Sequence, residues 1–129
     1  MPRRRRTDGR LSLFKGRKAR LNYAIFQTLT HKSPQTAWDM FNQFKKLKGM
    51  SSLRYWVLIR KVRALQKQDY IMKVGETKTM AGSETGLYQL TPRAELAMAL
   101  YKIDLDKFIR EAEYQRIFSA LEAFQNLDQ

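Results

Sequence analysis

Apolar positions recur at helical spacing over Leu21, Ala24, Ile25 and Leu29, and again over Ala37, Trp38, Phe41 and Phe44. Between these two stretches, Ser33 followed by Pro34 predicts the start of the second helix, as N-cap and first-turn proline. Lys48-Gly49 predicts its end. The pattern then predicts a third helix from Ser52 to Gln68, capped by serine after the turn Met50-Ser51-Ser52. On a helical wheel referred to Leu65, Tyr55, Leu58, Ile59, Val62 and Leu65 share one face. Trp56, Arg60, Arg63 and Lys67 line the opposite face. The period then shortens: a strand start at Tyr70-Ile71-Met72, a Gly-rich polar tip from Gly75 to Gly86, and a second strand Leu87-Tyr88-Gln89-Leu90.

Thr91-Pro92 caps a fourth helix that offers Ala94, Leu96, Ala97, Leu100 and Tyr101 for packing. Asp104 opens a last helix carrying Leu105, Phe108, Ile109, Ala112, Ile117, Phe118, Leu121 and Phe124. These are more large apolar residues than one face of an exposed terminal helix needs. Two fates are open to them: a homodimer interface built from Leu105, Phe108, Ile109, Ala112, Phe118, Leu121 and Phe124, or packing back on the same domain. The expected fold class is mainly α with a small β-hairpin, α+β. It divides into a basic arm (1–20), a domain (21–103) and a C-terminal helix (104–129).

Charge changes the picture. The 129 residues hold 25 Lys and Arg against 12 Asp and Glu, a net charge of +13. Residues 1–20 carry nine basic and one acidic side chain, 21–103 thirteen and five, and 104–129 three and six. A basic body with a mildly acidic end predicts that one region meets a polyanion and another meets protein. Arg3-Arg4-Arg5-Arg6 begins a segment with little apolar surface, read as a mobile arm that threads a minor groove or folds onto RNA. At 43% hydrophobic and 12% aromatic residues, the remainder is long enough to bury a core. With no cysteine, disulfides and thiolate metal sites are excluded. No apolar run spans a bilayer or forms a signal-peptide core, so a cytoplasmic protein without membrane contact is expected.

Catalytic chemistry finds little support. His31 is the sole histidine and falls in a loop; Asp104 and Asp106 sit where carboxylates favour a helix N-terminus. Gly82-Ser83-Glu84-Thr85-Gly86 lacks the pattern of a phosphate loop. No enzyme activity, cofactor or metal is expected.

The element order, with two phrases, resembles the winged helix-turn-helix regulators of the MarR and PadR type over roughly Leu21 to Tyr101. Val62-Arg63-Ala64-Leu65-Gln66-Lys67-Gln68-Asp69-Tyr70-Ile71 is similar to the end of their recognition helix, where valine and leucine anchor it before the wing. Asp69 stands at the turn where those proteins usually carry glycine. Leu87-Tyr88-Gln89-Leu90-Thr91-Pro92-Arg93-Ala94 is similar to their second wing strand and next helix start. The resemblance implies DNA binding and a homodimer; it leaves any small-molecule effector unknown.

The expected function is therefore a DNA-binding transcriptional regulator. Ser51, Ser52, Arg54, Trp56, Arg60, Arg63 and Lys67 would contact DNA from the third helix. Lys73, Lys78, Thr77 and Thr79 would contact it from the wing, and Arg3, Arg4, Arg5 and Arg6 from the arm. Trp56 has two readings, stacking on a base or burial against the first or fourth helix. A non-sequence-specific architectural protein, an RNA-binding ribonucleoprotein component, and a protein–protein adaptor are the alternatives. The adaptor reading predicts an exposed apolar patch of Leu53, Trp56 and Val57.

Overall fold

A computed structural model describes residues 11–17, 19–78 and 84–127. Arg3, Arg4, Arg5, Arg6 and Thr79 lie outside the described residues. The elements are α1 (Ala19–His31), α2 (Ala37–Lys45), α3 (Tyr55–Lys67), β1 (Ile71–Lys78), β2 (Glu84–Leu90), α4 (Pro92–Lys102), α5 (Leu105–Glu111) and α6 (Tyr114–Asn126). This is an α+β arrangement of helices around one antiparallel hairpin, as the sequence pattern predicts.

The core forms where the apolar faces of α1, α2, α3 and α4 converge over the base of the hairpin. Ile25, Phe26, Met40, Phe44, Leu58, Val62, Leu65 and Ile71 are almost wholly buried there. α4 contributes small side chains, Ala94, Ala97 and Met98, while Leu96 points outward at 61% exposure. Thr91 accepts from the backbone N–H of Ala94 at 3.3 Å, and Pro92 fills the first turn, so this cap is as expected. Asp104 likewise caps α5 through the N–H of Lys107 at 3.0 Å.

Several boundaries differ from expectation, each for a local reason. The second helix starts at Ala37, capped by Thr36, whose hydroxyl accepts from Asp39 N–H at 3.0 Å. Ser33 and Pro34 stay outside it because Gln35 is extended and bridges to β2. Gln35 N–H donates to Tyr88 O at 3.0 Å, and Tyr88 N–H returns to Gln35 O at 2.8 Å. Helix α3 begins at Tyr55 after Arg54, so Ser51 and Ser52 lie in the preceding turn rather than capping it. The Gly-rich segment is largely strand: Gly75 pairs with Leu87 and Gly86 with Glu76, with a bulge at Val74. The hairpin is thus longer than the sequence implies. At Gly86 a Cβ would fall 2.8 Å from the Tyr88 hydroxyl, so the residue leaves room for that ring.

The segment read as an arm is folded from Leu11 to Arg17. A 3₁₀ turn, Ser12–Phe14, buries Leu13 and Phe14 in the core. Phe14 packs its ring against Tyr23, Phe26 and Tyr101 at centroid distances of 6.1, 5.7 and 4.6 Å. Arg20, on α1, donates to Lys48 O and lies over Gly49, whose φ of +83° suits glycine. Asp69 has φ +67° and fills the left-handed turn between α3 and β1. Its short polar side chain tolerates that conformation better than most, which explains how it replaces glycine.

The last helix is two helices, because the backbone is extended at Ala112 and Glu113 between α5 and α6. No residue of either is buried. The reading in which this segment packs back into the domain core is therefore set aside.

Gln35, at 2% exposure, is the buried polar centre of the domain. Its Nε2 donates to Thr28 O at 3.0 Å and Lys32 O at 2.6 Å, and its Oε1 accepts from Gln43 Nε2 at 2.6 Å. Gln35→Leu removes these bonds and sets a buried apolar side chain beside the carbonyls and the amide that they joined. It is expected to cost about 2–4 kcal/mol in chemical denaturation. A change under about 0.5 kcal/mol, the size usual for plain surface sites, would contradict the buried role.

Candidate nucleic-acid interface

Helix α3 has two chemically distinct sides. Its inner side, Leu58, Val62 and Leu65, is buried against the core, which fixes the rotation of the helix. A helix so fixed must turn residues about 180° away into solvent. Trp56, Arg60, Arg63 and Lys67 occupy that side, and all four are exposed. Arg54, just before the helix, is exposed as well. Ion pairs among the described residues include Lys73–Glu76, Arg93–Asp69 and Arg110–Asp106, and none of these three takes up a cation of the row.

Trp56 is 51% exposed, which corrects the expectation of burial against the first or fourth helix. The Arg60 guanidinium lies 4.5 Å from its ring centroid, a cation–π contact that holds the arginine along the outer face. Leu53 and Val57 are half-buried, and Arg60 partly covers Trp56. The continuous apolar patch required by the adaptor reading is therefore broken up by charge.

Ser51 and Ser52 are exposed but stand before the N-terminus of α3, so their hydroxyls do not act with its first-turn amides. Lys45 Nζ bonds the Ser51 carbonyl and lies 5.7 Å from the Phe41 ring, which closes the turn between α2 and α3. On the hairpin, Lys78 and Thr77 are exposed at the outer end of β1. Lys73 pairs with Glu76, which offsets part of its charge on the hairpin itself.

One aromatic group was missed by the sequence reading. Trp38 on α2, placed among core positions by its spacing, is 51% exposed. It meets Tyr55 edge-on at 5.3 Å and Phe41 at 5.6 Å, and Phe41 meets Tyr55 at 5.4 Å. A wheel referred to Met40, which is fully buried, turns Trp38 outward by roughly 160°. Desolvation by burial, then the Tyr88 phenol, raises the pKa of Tyr55. The group stays a neutral phenol where α2 and α3 meet near Tyr88.

Among the described residues no group of three or more His, Cys, Asp or Glu side chains gathers to hold a metal. No helix among them is long and apolar enough to cross a membrane.

No family model matches the chain, and no curated protein does. Among solved structures, it is similar to a PadR-like transcriptional regulator from Bacillus cereus strain ATCC 14579. The TM-score is 0.52 at 14% identity, over 87% of this chain and 94% of that one. The chain has the winged-helix fold of that PadR-like protein.

Proposed function

We propose that this chain is a DNA-binding transcriptional regulator that reads a duplex with the outer side of α3. One observation carries the reading: three cations and a tryptophan form an exposed row on a helix whose opposite side is locked into the core. The solved structure with the same fold is named as a transcriptional regulator, which agrees with this use of the fold. In a major groove, Arg60 and Arg63 present planar guanidinium forks suited to guanine O6 and N7, while Arg54 and Lys67 supply charge to phosphates. Lys78 and Thr77 reach the flanking backbone from the wing. Ser51 and Ser52 reach it from the turn before α3, and Arg3 to Arg6 add contacts without base choice.

The second part of the proposal is a homodimer through the C-terminal helices. Ile109, Phe118, Phe124 and Leu121 are 71, 66, 58 and 49% exposed. On α6, Tyr114, Ile117, Phe118, Leu121 and Phe124 recur at steps of three, one, three and three, which makes one apolar stripe. A stripe this long, left open on a single chain, is the usual mark of a subunit interface. Leu105 and Phe108 on α5, with Ala112 just after it, add to this surface. Two copies joined there would present two α3 helices to half-sites about one helical turn apart.

Arg60→Ala with Arg63→Ala should weaken binding to a preferred duplex by about 10²-fold or more, and to random duplex by much less. Removal of residues 1–10 should instead lower both affinities alike and flatten their salt dependence. If the double substitution costs the same on every duplex, base readout by α3 is wrong.

Phe118→Glu with Leu121→Glu should leave the melting of the domain nearly unchanged and convert a dimer to a monomer in sedimentation velocity. An unaltered sedimentation coefficient would place the interface elsewhere.

A further inference from the structure

Arg60 and Arg63 belong to the same exposed row of α3, yet their surroundings differ. The Arg60 guanidinium lies over the Trp56 ring, 4.5 Å from its centroid. The spacing of four residues explains the pairing, because long side chains on a helix lean toward its N-terminus, over the preceding turn. Arg63 stands seven positions beyond Trp56, roughly 10 Å away along the helix axis. Among the described residues, no ring meets its guanidinium. The row therefore holds one arginine with an aromatic support and one without.

The chemistry of that support matters. Attraction to the ring quadrupole places a guanidinium without occupying any of its N–H donors. Among the described residues, no carboxylate or carbonyl takes those donors from Arg60 either. A base edge needs the donors in one plane and at one angle, whereas a phosphate accepts charge from many directions. A free arginine loses rotamer freedom when it docks on a base, and one already lying on a ring has lost part of it beforehand. The ring itself is carried on a helix whose rotation is fixed by the buried Leu58, Val62 and Leu65.

We infer that Trp56 is a positioning residue for Arg60, and that Arg60, more than Arg63, decides which base the helix prefers. Trp56 acts through the arginine and stacks on no base itself. The inference rests on the DNA-binding reading of α3 and deepens it, because it separates one preorganised base reader from the cations that mainly supply charge. Guanine is the base whose O6 and N7 match a guanidinium held in this way.

The test has an arm without DNA and an arm with it. In the nuclear magnetic resonance spectrum of the full chain, the Arg60 Nε–H signal should be displaced by the Trp56 ring current. Trp56→Ala should move it toward the Arg63 signal; coincidence of the two signals in the native chain would overturn the inference. The second arm measures affinity for a duplex that the native chain selects from a random library, and for random duplex. Trp56→Ala should lower the ratio of the two affinities about three- to tenfold, and Trp56→Phe should restore part of it. The affinity for random duplex should change less than about twofold, because charge supplies it and the ring carries none. Arg60→Ala should lower the ratio more than Arg63→Ala; the reverse order would overturn the assignment. In the Arg60→Ala background, Trp56→Ala should have no further effect, and a full further loss would mean that the ring meets DNA directly. A native chain that prefers no duplex would overturn the DNA reading and the role of Arg60 with it. A displaced Arg60 signal in that case would show that the contact exists and that the reading is what failed.

Discussion

The extended Gln35 ties the α1–α2 corner to the β1–β2 hairpin. Its backbone pairs with Tyr88 on β2, and its side chain ties the end of α1 to α2 through Thr28, Lys32 and Gln43. This polar centre adds directional bonds to the apolar packing of α1 and α2 over the base of the hairpin. With it, the position of α2 is set, and α3 packs against both α2 and the start of β1. The outward face of α3 follows from this geometry: once Leu58, Val62 and Leu65 are buried, Arg60 and Arg63 have nowhere to go but solvent.

Charge placement then separates two surfaces with different chemistry. The row on α3 is linear, exposed and backed by tryptophan, which suits a long polyanion. The C-terminal helices carry no such row. They are mildly acidic and apolar, and they leave a hydrophobic stripe uncovered on a single copy. The alternation of basic body and apolar end that is visible in composition thus corresponds to different surfaces of the fold.

How much of this was legible in the sequence depended on the range of the forces involved. Local signals were read correctly: Thr91-Pro92 and Asp104 cap helices because the capping bonds span only a few residues. The two faces of α3 were legible for the same reason, since helical periodicity alone separates Val62 and Leu65 from Arg60 and Arg63. Ser33-Pro34 was misleading because a bond to Tyr88, more than fifty residues away, overrides the local helix-start signal. Gly75 and Gly86 suggested a loop but sit in paired strands, where the pairing and the space needed by Tyr88 decide their role. Leu13 and Phe14 were assigned to the arm for want of neighbours; Tyr23, Phe26 and Tyr101 supply them only in three dimensions.

The most direct test of the central claim is selection of duplexes from a random library by the full chain, with structured RNA as competitor. The account predicts enrichment of a motif with two related half-sites about one helical turn apart, and weak competition by RNA. Recovery of an unenriched library, or retention of RNA as firmly as duplex, would contradict it.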